Sequence, residues 1–120
     1  IDVCVQVPRI KYEDMVYDGK DLYTNEYMRS TVERVFNIQK ERFADEKYSL
    51  NSSIPAADVS RYCILDREAE NLMNGIYDSC DLSARGYHKL LKVARTIADI
   101  DGSEYIMAEH ICEAFGYRMV

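Results

Sequence analysis

The sequence predicts an all-α protein: a small bundle of four to five helices, preceded by a single strand and a linker. Apolar residues after position 24 recur at three- and four-residue spacing, which is the period of an amphipathic helix. Residues with good N-cap chemistry precede these patterns, and strand-like alternation is confined to the first seven residues. A length of 120 residues fits one domain.

The first 23 residues are predicted to form a strand and a linker. Residues 1–7 alternate, with Val3, Val5 and Val7 on one side, and Pro8 ends the pattern. A lone strand cannot form a sheet, so we expect residues 1–23 to be disordered or to pack on a second copy. The chain has no initiator Met and opens in a strand, which suggests a piece of a longer protein. We therefore divide it into residues 1–23, a remnant strand and linker, and residues 24–120, the helical domain.

A long first helix is predicted from about Asn25 to Phe43. Thr24 is a suitable N-cap, and charged residues fall mostly away from the apolar positions. The predicted inward face consists of Met28, Val32, Val35, Phe36, Gln39 and Phe43.

The remaining helices are marked by their capping residues. A short helix is predicted over Pro55–Tyr62, and Asp66 and Ser83 cap the third and fourth helices. Gly102 ends the fourth helix, and a fifth runs from about Met107 to Gly116. The predicted inward residues are Ala69, Leu72, Met73, Ile76, Tyr77 and Cys80 in the third helix, and Tyr87, Leu90, Leu91, Ala94, Ile97 and Ala98 in the fourth.

Composition excludes several classes of protein. A net charge of −6 argues against a dominant non-specific nucleic-acid surface on this domain. No apolar run is long enough to span a membrane, and no signal peptide is recognisable. The four cysteines form no C-x-x-C pair, so we expect buried, reduced thiols in a cytoplasmic protein. They are Cys4, Cys63, Cys80 and Cys112.

No catalytic centre is recognisable in the chain itself. It contains no phosphate-binding loop, no H-E-x-x-H and no nucleophile placed beside a base. His88 and His110 are isolated, without a cysteine or carboxylate at ligand spacing, so we expect structural histidines and no metal site.

A basic row lies opposite the apolar stripe of the fourth helix. Its first member, Arg85, lies in the first turn, where the helix dipole disfavours a cation. An arginine beside free helix N–H groups forms an anion site, and phosphate is its natural ligand. The alternative is a solvated surface, which physical reasoning alone favours because charge runs usually lie on surfaces. The row consists of Arg85, His88, Lys89, Lys92 and Arg95.

Residues 82–103, LSARGYHKLLKVARTIADIDGS, resemble the signature of the C-terminal domain of magnesium-chelatase-like AAA+ ATPases of the ComM/YifB family. The residues 63–66, C-I-L-D, and the opening run of residues 1–9 also resemble that family. Further matches are Ile38, Gln39, Arg42 and Phe43, and downstream Ile106, Glu109, His110, Glu113, Ala114, Tyr117 and Arg118.

This resemblance implies that the bundle is the helical lid of an AAA+ ATPase. The S-x-R at the start of the fourth helix would be the sensor-2 motif, with Arg85 reaching the γ-phosphate of ATP. Ser83 and Arg95 are further candidates for nucleotide sensing. ATP and Mg²⁺ would be held by the parent protein, and none is expected in the fragment alone. The implied partners are its own ATPase core, neighbouring subunits of a hexameric ring, and DNA through the parent.

Two alternatives stay open beside the lid. The chain could be a helical protein- or DNA-interaction module without a nucleotide role, or the lid of a true magnesium chelatase subunit. The lid hypothesis predicts that Arg85 is exposed on a rim of the bundle that faces the ATPase core. The interaction hypothesis predicts a contiguous apolar or basic surface elsewhere.

Overall fold

The computed structural model describes residues 3–5 and 24–118, the last without its side chain. These residues form five α-helices and no sheet, as the sequence predicts. The helices are α1 (Asn25–Arg42), α2 (Val59–Tyr62), α3 (Arg67–Ser79), α4 (Ala84–Ile100) and α5 (Ala108–Arg118). Two 3₁₀ turns, Asn51–Ser53 and Ala56–Asp58, lie between α1 and α2.

Helices α1, α3 and α4 begin at the predicted N-caps. In each of α1, α3 and α4 the side-chain oxygen of the cap accepts a hydrogen bond from a backbone N–H of the first turn, at 2.8 to 3.1 Å. These caps are Thr24, Asp66 and Ser83.

The fourth helix ends as predicted at Gly102. This residue has a φ of 71°, the left-handed conformation that glycine adopts most easily. The next N–H, of Ser103, donates to the carbonyl oxygen of Ala98 at 2.8 Å, which satisfies a carbonyl in the last turn. The chain therefore turns sharply from α4 towards α5.

The core lies around α4, which packs against both α1 and α5. Small residues at Ala94 and Ala98, both fully buried, allow the neighbouring helices to approach closely. The core consists of Phe43, Ile54, Val59, Cys63, Ala69, Met73, Leu90, Leu91, Ala94, Ala98, Ile106, Ile111 and Ala114.

A short backbone bridge joins the loops that lead into α3 and α5. Ile106 donates its N–H to Ile64 O at 2.8 Å, and its own carbonyl accepts the N–H of Asp66 at 3.1 Å. This parallel bridge, between Leu65 and Ile106, fixes the starts of both helices relative to each other.

The predicted inward face of α1 is wrong in its N-terminal half. Val35 and Phe43 are buried, whereas Met28, Val32 and Phe36 are 50 %, 67 % and 47 % exposed. Every residue from 24 to 30 is exposed because α1 extends beyond the other described helices. Tyr77 and Cys80, predicted to face inward on α3, are exposed as well.

The cysteines are free thiols, but their predicted burial holds only for Cys63. Cys80 and Cys112 are exposed, and Cys4 is half-buried. The helical period placed Cys80 among the apolar residues of α3, but these positions are exposed at the C-terminal end of the helix.

The buried thiol makes the fold sensitive to alkaline pH. Burial raises the pKa of Cys63 to about 11, above the value of about 8.5 expected in an unfolded chain. Since the folded state holds this proton more tightly, its contribution to stability is complete below about pH 8.5 and is lost as pH rises towards 11. We expect the free energy of unfolding of the wild type to fall across this range more steeply than that of Cys63→Ala, measured by urea titration; equal slopes would contradict the assignment.

Residues 3–5 contact the C-terminal part of α5. The N–H of Cys4 donates to Tyr117 O at 2.9 Å, and Val3 borders a groove between α4 and α5. These three residues therefore lie against α5, with Val3 and Val5 47 % and 64 % exposed, and their packing on a second copy stays a prediction. The rest of the predicted strand and the linker lie outside the described residues. No helix in the described ranges is both long and apolar enough to cross a bilayer.

Candidate functional site at the start of α4

Arg85 lies at the second position of α4 and is exposed. Ser83 caps the helix by accepting the N–H of Gly86 at 3.0 Å, and its carbonyl accepts the N–H of Tyr87. The backbone N–H groups of Ala84 and Arg85 have no acceptor among residues 3–5 and 24–118. Two free backbone donors and the Arg85 side chain therefore belong to the first turn of a helix of 17 residues, at its positive end.

The guanidinium of Arg85 is also unpartnered. Within the described part of the chain it makes no hydrogen bond and no ion pair. An arginine offers five N–H donors in a planar fork, a geometry that matches a phosphate or carboxylate. The exposure predicted for Arg85 is confirmed, and its unpartnered donors are of the kind that bind anions.

The other candidate arginine, Arg95, is not part of a solvated face. It is 2 % exposed, and burial lowers its pKa although Asp99 opposes this effect. Its Nε donates to Asp99 at 3.2 Å, and its two terminal nitrogens donate to the carbonyl oxygens of Ser103 and Glu104 at 2.6 and 2.7 Å. Arg95 thus holds the loop after α4 against the helix, and its donors are occupied.

Asp99 is the centre of a buried polar network. Both of its oxygens accept from Arg42 of α1, at 2.5 and 2.9 Å, while Arg95 bonds the same carboxylate from its own helix. Asn51 donates to Asp99 at 2.9 Å and to Thr96 at 3.1 Å. This network locks α4 to α1 and to the first 3₁₀ turn. The sequence offered no signal for the pairing of Arg42 with Asp99, since they are 57 residues apart.

Helix α1 also caps the far end of α4. The guanidinium of Arg34 donates to the carbonyl oxygens of Asp99 at 3.4 Å and Ile100 at 2.8 Å. A cation at the C-terminus of a helix satisfies unpaired carbonyls and complements the dipole. The C-terminal end of α4 is therefore held by side chains of α1, whereas Arg85 at its N-terminal end is exposed.

The middle of the basic row is half-buried rather than fully solvated. Lys92 donates to Ser52 O at 3.5 Å, and the ring of His88 lies edge-on to Tyr87 with centroids 5.9 Å apart. Lys89 is also half-buried and has an interaction partner. The row thus separates into an exposed Arg85, a partly packed middle and a buried Arg95.

His110 lies in a second titratable cluster, with carboxylates that sequence spacing did not reveal. It is 2 % exposed, and its Nε2 lies 2.8 Å from Asp101 and 3.7 Å from Glu109. Its Nδ1 accepts the N–H of Met107 at 2.9 Å, which caps α5. Because Nδ1 is an acceptor, the ring proton lies on Nε2 and points at Asp101. The lone pair that a metal ion would need at Nε2 is thereby occupied, so the cluster is best explained as a helix cap.

Comparisons with known proteins identify the family of the chain. The sequence profile of the family described as "Magnesium chelatase, subunit ChlI C-terminal" matches residues 23–118. The chain is 32 % identical over 117 residues to "Competence protein ComM" of Haemophilus influenzae, covering 98 % of this chain and 22 % of that protein.

Two further relatives carry the name "Uncharacterized protein YifB". The one from Escherichia coli is 35 % identical over 91 residues and the one from Salmonella typhimurium 32 % identical over 91 residues; each match covers 76 % of this chain and 18 % of the relative. The chain thus spans about a fifth of the length of the curated relatives it matches. It belongs to the family of magnesium chelatase C-terminal domains, as the C-terminal domain of a ComM/YifB-type protein.

Proposed function

We propose that this domain is the lid of an ATPase and that Arg85 binds the γ-phosphate of ATP held by another part of the full-length protein. One observation carries the proposal: an exposed, unpartnered arginine lies beside two free backbone N–H groups at the start of a firmly packed helix. The helix dipole, the N–H groups and the guanidinium all favour a polyanion at this point.

Hydrolysis would change the position of α4. While the γ-phosphate is present, Arg85 ties the N-terminus of α4 to the nucleotide, and its loss releases that end. The Ser83 hydroxyl accepts from Gly86, so its own hydrogen is available to a phosphate oxygen. Arg95 acts differently from its expected sensing role, since its donors hold Asp99 and the loop after α4.

The full-length protein is proposed to hold ATP and Mg²⁺, to assemble as a hexameric ring and to act on DNA in the cytoplasm. The relative from Haemophilus influenzae is named a competence protein, which supports a role with DNA. The net charge of −6 argues that other parts of the protein supply the DNA contact.

The competing function is that of a true magnesium chelatase subunit, which the description of the family supports. Both functions use the same nucleotide site, so a metal-insertion assay separates them. An interaction module without a nucleotide role differs from both, because it predicts that Arg85 is dispensable for nucleotide binding.

The proposal is tested by comparing ATP and ADP affinities of the full-length protein. We expect Arg85→Ala to weaken ATP about tenfold or more and to leave ADP nearly unchanged, because a charge-assisted bond to the γ-phosphate is lost. Isothermal titration calorimetry measures both affinities. Equal weakening of ATP and ADP, or no weakening of either, would contradict a contact with the γ-phosphate.

A further inference from the structure

The exposed half of α1 presents an ordered apolar row. Met28, Val32 and Phe36 follow one another at four-residue spacing and are 50 %, 67 % and 47 % exposed. At about 100° per residue they lie within an arc of about 80°, and they extend about 12 Å along the helix. Ile64 and Tyr105 are also exposed, at 47 % each, but they lie on loops and do not form a row along a helix.

The same side of α1 forms part of the core further along the helix. Gln39 and Phe43 lie on the arc of Val32, yet they are 5 % and 2 % exposed. Gln39 accepts the N–H of Asn51 at 2.9 Å, and Phe43 packs on Tyr48 and Tyr62. The exposed row therefore continues a packing face beyond the point where the described residues cover it.

The size of the row indicates which kind of partner fits it. Three side chains over about 12 Å bury far less than the roughly 800 Å² per partner that a stable complex requires. A second copy bound only through this row would dissociate at ordinary concentrations. A surface joined by a short linker needs much less area, because tethering supplies an effective concentration in the millimolar range.

Another part of the same polypeptide would be a partner tethered to α1 in this way. The match covers 22 % of the length of the relative ComM, so most of a protein of that length lies outside residues 1–120. From Cys4, which is bonded to Tyr117 of α5, to Thr24 at the start of α1 is only 20 residues of chain. Whatever its conformation, a stretch of 20 residues spans at most about 70 Å.

We propose that Met28, Val32 and Phe36 dock against an apolar patch on the domain that precedes residue 1 in the same polypeptide. This inference rests on the proposed function, which assigns an ATPase core to that position. Docking would fix α1, and Arg42 and Arg34 would transmit its position to α4 through Asp99 and the last carbonyls of that helix. The row would thus set the orientation in which α4 presents Arg85.

Thiol labelling of an introduced cysteine tests the docking directly. Val32→Cys is compared with Ser30→Cys, which is exposed on nearly the opposite side of α1. Each variant is prepared as full-length protein and as residues 1–120, and labelling by iodoacetamide is followed by peptide mass spectrometry without nucleotide. We expect labelling at position 32 to be at least tenfold slower in the full-length protein than in the shorter chain, and labelling at position 30 to be equal in both.

Each other outcome overturns the proposal. Equal rates at position 32 would leave the row uncovered. If labelling at position 32 is already slow in residues 1–120 and does not depend on protein concentration, residues 6–23 shield the row. If labelling slows as protein concentration rises, a second copy shields it. Hydrogen exchange over residues 27–36 of the wild type repeats the comparison without a substitution. Neither measurement involves nucleotide. Docking of the row can therefore be disproved while the contact of Arg85 with the γ-phosphate is confirmed, or docking can be confirmed while that contact is disproved.

Discussion

Replacement of Asp99 by alanine is expected to lower the free energy of unfolding by about 3–5 kcal/mol. Asp99 is 2 % exposed and accepts hydrogen bonds from Arg42, Arg95 and Asn51. Without the carboxylate, the buried Arg95 keeps its charge but loses its only ion pair among the described residues. A domain of this size has about 5–15 kcal/mol of stability, so a substantial part of it would be lost.

Urea unfolding followed by circular dichroism measures this loss, with Asp78→Ala as the control. Asp78 is exposed near the end of α3, and its replacement should change stability by no more than about 0.5 kcal/mol. Asp99→Asn keeps the shape of the side chain and part of its hydrogen bonding. Its loss in free energy of unfolding should therefore lie between those of Asp99→Ala and Asp78→Ala. A loss below about 1 kcal/mol for Asp99→Ala would mean that the network does not hold α1 to α4.

The elements of the fold could be predicted because their signals are local. A cap bonds to an N–H three residues later, and Thr24, Asp66 and Ser83 each do so. The left-handed turn after α4 needs a residue such as Gly102, which the sequence supplies at the end of the apolar pattern. Each of these features depends on neighbours within a few residues, and so does helical periodicity.

The extent of the core could not be predicted from periodicity. The pattern identifies which side of α1 is apolar, but not how much of that side other elements cover. Val35 and Phe43 meet the bundle, whereas Val32 lies beyond its edge on the same face. The same limit applies to Cys80, which continues the stripe of α3 into solvent.

The separate roles of the two arginines on α4 were also beyond local reasoning. Arg85 and Arg95 belong to one basic row in the sequence, yet only Arg85 is exposed. Arg95 is buried because Asp99 lies one turn later on its own helix and two carbonyls of the following loop fold back on it. The spacing of Arg95 and Asp99, four residues, was the available signal for this pair.

Steady-state ATP hydrolysis by the full-length protein tests the role of Arg85 most directly. An arginine that contacts the transferring phosphoryl group stabilises charge that develops in the transition state, and removal of such a donor lowers kcat by about 10²- to 10³-fold. Arg67 provides a matched control, since it is an exposed arginine in the first turn of α3. Circular dichroism of each variant establishes that the protein stays folded.

We expect Arg85→Ala to lower kcat by at least two orders of magnitude, and Arg67→Ala to keep the wild-type rate. Arg85→Lys should restore only part of the activity, because a lysine keeps the charge but not the planar fork. Wild-type hydrolysis by a folded Arg85→Ala protein would show that Arg85 does not act on the γ-phosphate, and the domain would then be assigned to interaction rather than to nucleotide sensing.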